Sequence, residues 1–92
     1  MVSTFYALCC LTATGLLITW SQGNPRIAAT PDRAQLGTVI CVTFPKGSRY
    51  SYTLADYCPT CKPDQIDILV RTRAQAVRLG VVEIELDKGR CP

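Results

Sequence analysis

The chain has 92 residues, with ten Lys or Arg, seven Asp or Glu, no histidine and a formal net charge of +3. This length allows one domain at most. The absence of histidine removes the commonest general base and metal ligand, and the scattered basic residues favour a solvated surface over a nucleic-acid-binding patch.

The first 23 residues carry no charged side chain. An apolar stretch runs from Leu16 to Trp20, and Ser21 and Gly23 then occupy the two small-residue positions of a secretory cleavage site. A membrane anchor or a buried first strand would also suit this composition, because about 20 residues can span a bilayer. We predict a signal peptide or N-terminal anchor over 1–23 and the folded domain over 24–92. The protein would contact a membrane only if the first segment is retained.

Four cysteines remain in the domain after that cleavage. About 70 residues bury too little surface for a comfortable core, so covalent staples are expected. In an exported chain the four residues predict two disulfides, with three connectivities open, and closing a loop from Cys41 to Cys91 would add about 3–5 kcal/mol. The cysteines concerned are Cys41, Cys58, Cys61 and Cys91.

The pair Cys58 and Cys61 forms a Cys-Pro-Thr-Cys motif that has two other interpretations. A redox dithiol would be expected before a long helix, but Pro63 and a β-type segment follow. A zinc site of four thiolates would need a second knuckle, which Cys41 and Cys91 do not form. A disulfide-anchored loop is favoured, a redox or zinc protein remains an alternative, and we expect no metal and no cofactor.

The predicted elements from residue 24 onward are mostly strands. Residues 24–35 are rich in turn formers and predict an irregular segment. Residues 36–44 form an apolar strand buried on both faces, and 49–55 alternate as a half-buried hairpin partner with Tyr50 and Tyr52 on the core face.

Three more elements follow the cysteine loop. Residues 65–70 predict a short strand, Thr72 can cap a helix that ends at Gly80, and 81–87 predict a final strand. The pattern is mainly β with one short helix, which is typical of a small barrel.

Two aspartates enclose the cysteine loop, and they are the candidate functional residues. Asp56 ends one predicted strand, and Asp67 lies in the next between Ile66 and Ile68. An apolar setting raises the pKa of a carboxyl group, and a raised pKa makes a general acid available near neutral pH. The structural alternative is that Asp67 caps a turn or accepts backbone hydrogen bonds.

The chain from Ile27 to Leu86 resembles a double-psi β-barrel of the triple-aspartate (3D) and expansin/rare-lipoprotein-A type. In those families a strand ends in Asp and an Ile-Asp strand start follows eleven residues later, as Asp56 and Asp67 do here. "IAATPDRAQLGTVICV" is similar to the 3D pattern, although its first aspartate falls on Thr30, and "DYCPTC" is similar to the expansin-like element. The fold implied is a six-stranded double-psi β-barrel, or a shortened version of it, whose first strand is missing after Gly23 unless "LLITWSQ" supplies it.

The resemblance implies an exported protein that acts on a cell-wall glycan such as peptidoglycan. Asp67 matches the acid of a lytic transglycosylase, which protonates the glycosidic oxygen and needs no second catalytic carboxylate, and Asp56 matches its supporting carboxylate. Tyr57 and Lys62 are candidate substrate contacts, whereas Tyr50 and Tyr52 are expected in the core. The alternatives are a non-catalytic, expansin-like wall binder or a small secreted inhibitor or effector. We expect a secreted or extracytoplasmic monomer that binds a wall polysaccharide and no nucleic acid.

Overall fold

A computed structural model describes residues 1–8, 10–20, 23 and 25–92. Within them, seven strands form one sheet in the order β6-β1-β5-β2-β4-β3-β7, with one α-helix and one 3-10 helix beside it. The predicted mainly β class with one short helix is confirmed. The strands are β1 Val2–Tyr6, β2 Ile27–Thr30, β3 Val39–Thr43, β4 Arg49–Tyr57, β5 Gln65–Leu69, β6 Val82–Glu83 and β7 Glu85–Lys88; the helix α1 is Arg73–Leu79 and the 3-10 helix is Arg33–Gln35.

The predicted hairpin is formed by β3 and β4, which pair antiparallel from Val39 opposite Thr53 to Thr43 opposite Arg49. The middle three residues of β3 are buried, as a strand covered on both faces requires. Tyr52 and Leu54 of β4 are also buried and join the main core, as the alternation predicts, whereas Tyr50 on the same predicted face is 40% exposed. The two strands of this hairpin are consecutive in sequence, so their pairing joins residues that are close along the chain.

Strand β2 lies where the sequence predicts an irregular segment. Its four residues, Ile27 to Thr30, are all buried, and the strand pairs parallel with β4 and antiparallel with β5. The segment is too short and too alanine-rich for a periodic signal, and Pro25 and Pro31 bound it on both sides. Tertiary pairing on both edges therefore decides its conformation.

Strand β1 comes from the segment interpreted above as a signal peptide or anchor. Val2–Tyr6 pairs parallel with β5, Ser3 is fully buried, and the backbone N–H of Ile84 donates to the carbonyl of Met1 at 3.0 Å. The stretch "LLITWSQ" does not supply this strand in its described part, where Leu17 forms only an isolated bridge with Leu11. Among the described residues, no helix is long and apolar enough to cross a membrane.

Helix α1 begins and ends as predicted. The Thr72 hydroxyl accepts from the backbone N–H of Gln75, and the Gln75 side chain reaches back to the N-cap backbone, which makes a capping box. Gly80 follows the last helical residue with φ of 64°, a conformation that costs glycine little. The helix buries none of its residues, so local capping carries much of its stability.

The predicted final strand is divided into β6 and β7 by Ile84, which is buried in the core. β6 pairs with β1 and β7 pairs with β3. The two strands are therefore the first and the last in the strand order of the sheet, although they are adjacent in sequence. The expectation of six strands is therefore corrected to seven. The difference arises because the chain pairs with β1 up to Glu83 and with β3 from Glu85 onward, so Ile84 separates two ladders.

Two disulfides join the four predicted cysteines as Cys41–Cys91 and Cys58–Cys61. The first closes a separation of 50 residues and ties β3 to the C-terminal end of the chain. Cys10, which would leave with a cleaved signal, is also disulfide-bonded. Cys9 lies outside the described residues.

Candidate functional site

The sheet brings the two predicted aspartates together across one small residue. β2 runs between β5 and β4, and Ala29 lies opposite Asp67 on one side and Asp56 on the other. An irregularity in the register between Ala28 and Ala29 produces this alignment, because without it Ala55 would face Ala29. Cross-strand partners share a face of the sheet, so both carboxylates lie on the side that carries the alanine methyl group.

Asp67 is a half-buried acid with one hydrogen-bonded oxygen. Its Oδ1 accepts from the Thr4 hydroxyl at 3.0 Å, and the Gln65 side-chain amide donates to that hydroxyl at 2.9 Å. Burial raises the pKa of the Asp67 carboxyl; the Thr4 hydrogen bond opposes this, and the nearby charge of Asp56 adds to it.

Burial raises the pKa of Asp67 as predicted, but the two isoleucines that flank it in sequence are not what buries it. Ile66 and Ile68 belong to the core on the opposite face of β5, so they do not surround the carboxylate. Neighbours in a strand alternate between faces, which is why adjacent residues in sequence are a poor guide to the environment of a side chain.

Asp56 is a buried carboxylate that accepts three hydrogen bonds. Its Oδ2 accepts from the Tyr6 hydroxyl at 2.9 Å, and its Oδ1 accepts from the backbone N–H groups of Ala13 at 3.0 Å and Tyr57 at 3.1 Å. Burial is the main cause that raises the pKa of Tyr6, followed by the charge of Asp56 and the hydrogen bond to it. Tyr6 therefore stays a phenol and acts as a steady donor to this carboxylate.

Sequence reasoning missed Thr4 and Tyr6, although each holds one of the two aspartates. Thr4 and Tyr6 are two residues apart in β1, so their side chains lie on the same face of the strand. The pairing of β1 with β5 places both of them beside β5. The only sequence signal was the order Thr-Phe-Tyr in a segment without charge, and its uniform hydropathy favours an export segment over a strand.

The Cys58–Cys61 disulfide lies directly beside the acid. Both sulfur atoms and a carboxylate oxygen of Asp67 lie within 4.8 Å of one another. Two thiolates and a carboxylate would be a ligand set for a soft divalent cation, but the sulfurs are joined in a disulfide and offer no thiolate. The disulfide therefore acts as a staple that packs on one side of Asp67.

The other predicted contacts are spread around this site. Tyr57 is half-buried at the end of β4, with the Arg33 guanidinium 4.3 Å from its ring centroid. Lys62 is exposed in the cysteine loop, and its backbone N–H donates to Gln65 at 3.2 Å. Tyr52 is in the core as expected, whereas Tyr50 is 40% exposed.

The best-defined cavities among the described residues are elsewhere. Neither Asp67 nor Asp56 lines any of them. Asp67 is half-buried, so part of its side chain remains accessible to solvent.

Comparison with known proteins shows the fold. No protein-family model and no curated protein matches the chain. Among solved structures, it is similar to the apo form of an expansin from Clavibacter michiganensis, with 21% identity and a TM-score of 0.69. A mutant of that expansin in complex with cellohexaose is similar to the same degree, with 21% identity and a TM-score of 0.70. In both cases the match covers 99% of this chain and 50% of the expansin chain.

The Streptomyces papain inhibitor is a third similar structure. It has 22% identity and a TM-score of 0.69, and the match covers 97% of this chain and 91% of the inhibitor. All three neighbours are of the double-psi β-barrel type. The chain therefore has the double-psi β-barrel fold predicted from its sequence, while its function has to be argued from the site.

Proposed function

We propose that this protein is an exported domain that binds a cell-wall polysaccharide and cleaves it with Asp67 as general acid. The observation that carries the proposal is the contrast between the two aspartates. Asp67 has a raised pKa, and among the described residues hydrogen bonds reach only its Oδ1. Asp56 is held by three donors. One carboxyl is available for proton transfer and the other supports it.

The chemistry that suits such a pair is cleavage by a single acid. Asp67 would give its proton to the glycosidic oxygen as the bond from that oxygen to the sugar breaks, and a hydroxyl group of the same sugar would close an anhydro ring and return its proton to the carboxylate. Hydrolysis by two carboxylates would need Asp56 to activate a water molecule. Both oxygens of Asp56 already accept hydrogen bonds from the protein, which favours a supporting role over activation of water.

A polymeric wall glycan is the substrate class that we propose for this half-buried acid. The solved complex of a similar fold contains cellohexaose, which supports a polysaccharide ligand in general. We propose peptidoglycan or a related wall glycan as the substrate. The disulfides support an extracytoplasmic location, since such bonds persist in oxidising compartments.

The decisive experiment compares three proteins on two insoluble substrates. Wild type, Asp67→Asn and the matched control Asp87→Asn are incubated with peptidoglycan sacculi and with cellulose, and soluble products are identified by mass spectrometry. Asp87 is an exposed aspartate on β7, outside the site. We expect anhydro-sugar products from wild type and the control, and at least a hundredfold less from Asp67→Asn, as is usual for loss of a general acid.

Two other outcomes have definite meanings. Sedimentation with a wall polymer, without soluble products from any of the three proteins, would establish a non-catalytic, expansin-like binder and reject the acid role of Asp67. Failure to sediment with either polymer would reject both glycan functions.

Inhibition of a protease is a second candidate, and an exposed loop favours it. Residues 10–18 form a tight hairpin in which the Ile18 N–H donates to the Cys10 carbonyl at 2.8 Å. Leu11, Leu16 and Leu17 are 58%, 46% and 60% exposed on this uncharged loop. The fold is also that of the Streptomyces papain inhibitor, which supports a protein target of the papain class.

An inhibition assay with papain tests this candidate. We expect Leu11→Ser with Leu17→Ser to weaken inhibition about tenfold or more, because such residues would be the buried anchors of the complex. Val77→Ser is the control, since Val77 is 78% exposed on α1, away from the hairpin. No inhibition by wild type, or equal inhibition by the hairpin variant and the control, would reject this function for the loop.

A further inference from the structure

A cavity of about 490 Å³ lies at the end of the barrel opposite the cysteine loop. β1 and β5 end there, β2 and β4 begin there, and α1 forms one wall. Its volume is within the range of about 300–1,000 Å³ that is typical of sites for small organic ligands. The proposed glycan site does not use any residue of this cavity.

The lining is dominated by aromatic rings. Five of the chain's seven aromatic residues line the cavity. Aliphatic side chains such as Ile68 and Leu79 fill much of the remaining wall. A sugar ring would need several hydrogen-bonding partners for its hydroxyl groups, whereas this wall suits a flat apolar ring. The five aromatic residues are Phe5, Trp20, Phe44, Tyr50 and Tyr52.

The charged residues that the structure describes around the cavity are both positive. They are Arg26 and Arg71, and no Asp or Glu is found among the described lining residues. Asp56 and Asp67 lie opposite Ala29 in the sheet, and Glu83 and Glu85 line a different cavity. A ligand that enters here meets two guanidinium groups without competing carboxylates in the wall.

The position of Arg26 prepares it for a carboxylate. Its guanidinium carbon lies 4.1 Å from the centroid of the Tyr50 ring and 5.9 Å from that of Tyr52. A cation held over aromatic faces keeps its orientation, while the N–H edge of a guanidinium group forms bidentate hydrogen bonds to a planar acid.

We propose that this cavity binds a small aromatic carboxylate, with its ring among the aromatic side chains and its acid group on Arg26 and Arg71. The inference is independent of the proposed glycan function, because the two sites share no residue. It assigns a second ligand site to a barrel whose first site faces an extended polymer.

The test is a titration of the full 92-residue chain with 3-phenylpropionate, followed by the fluorescence of Trp20. This residue is the chain's single tryptophan and lines the cavity, so its emission reports occupancy directly. We expect saturable binding of 3-phenylpropionate and at least tenfold weaker binding of 3-phenylpropionamide, the neutral ligand of nearly the same shape, because charged hydrogen bonds to arginine are lost.

Variants locate the site. Arg26→Gln and Arg71→Gln are each expected to weaken binding of 3-phenylpropionate several-fold, and the double variant at least tenfold. Arg49→Gln is the matched control, since Arg49 is an exposed arginine at the start of β4 that does not line the cavity. Asp67→Asn should bind the acid as wild type does, which separates this test from that of the glycan site.

Three results would overturn the proposal. They are absence of saturable binding by wild type, equal affinity for the acid and the amide, and an affinity of the double variant equal to that of Arg49→Gln. Circular dichroism of each variant, compared with wild type, ensures that weaker binding is not caused by loss of the fold.

Discussion

Asp56 and Asp67 are the same residue type in the same sheet, yet their surroundings give them different chemical capacities. Asp56 is 8% exposed, and both of its oxygens accept hydrogen bonds. Asp67 is half-buried, accepts one side-chain hydrogen bond and has a raised pKa. The two carboxyl groups therefore differ in how firmly the surrounding donors hold them.

The raised pKa of Asp67 predicts a pH dependence of stability. The folded state holds its proton more tightly than the unfolded state, so ionisation of Asp67 opposes folding at neutral pH. This penalty is complete above the raised pKa, decreases as pH falls through it, and is absent below the unfolded value of about 3.9. Asp67→Asn should therefore be as stable as wild type or more stable at pH 7, with the difference shrinking in acid.

Urea unfolding at a series of pH values measures this effect. Asp87→Asn is the control, because Asp87 is exposed and should show no such trend. A loss of stability in Asp67→Asn at pH 7 that persists at low pH would mean that the carboxylate is a structural hydrogen-bond acceptor. It would contradict the view that burial disfavours the ionised form of Asp67.

The sequence pointed to both aspartates but not to the residues that hold them. Spacing along the chain placed Asp56 and Asp67 at the ends of one loop, which a linear pattern can show. The hydrogen bond from Thr4 to Asp67 spans 63 residues, and the register irregularity beside Ala29 depends on pairing across strands. Neither the hydrogen bond nor the irregularity can be recognised from a short stretch of sequence.

Strand β1 shows the same limit for a whole element. Its five residues belong to a long uncharged segment, and composition alone favours an export signal there. The hairpin of β3 and β4 was predictable because its two strands are neighbours in sequence and alternate clearly. β1 instead pairs parallel with β5, more than 60 residues away, and only the tertiary structure reveals it.

Removal of residues 1–23 would take β1 out of the sheet. A variant that begins at Asn24 would expose one edge of β5 and would leave Asp67 and Asp56 without Thr4 and Tyr6. We expect it to lose its cooperative thermal transition, as followed by near-UV circular dichroism.

Thr4→Val is the control for that truncation. It keeps the strand and removes one hydroxyl, so it should fold with a loss of about 1–3 kcal/mol, the usual cost of a hydrogen bond to a charged group. A cooperative transition at the wild-type temperature in the truncated chain would show that β1 is dispensable. Mass spectrometry of the exported protein would then locate the cleavage site.

At the scale of the whole molecule, the Cys41–Cys91 and Cys58–Cys61 disulfides should contribute unequally to stability. Cys41–Cys91 closes a separation of 50 residues and Cys58–Cys61 one of 3. Loop-closure entropy then predicts a stabilisation of about 4 kcal/mol from the first and about 2 kcal/mol from the second. Four cysteines predicted the number of these bonds, but their pairing required the fold.

Paired Cys-to-Ser variants test this order by chemical denaturation. Removing Cys41–Cys91 should lower the free energy of unfolding by about 2 kcal/mol more than removing Cys58–Cys61. Removing the short bridge should instead affect the surroundings of Asp67, which its sulfurs contact. An equal loss of stability in both variants would mean that native packing, rather than loop length, sets the contribution of each bond.

The parallel pairing of β1 with β5 has a consequence for the order of folding. Thr4 is synthesised well before Asp67 and before the strands β6 and β7 that complete the sheet. Folding dominated by such distant partners is slow, and fragments expose unpaired edges meanwhile. A nascent chain therefore lacks the hydrogen bond from Thr4 to Asp67 until β5 has been made and has paired with β1.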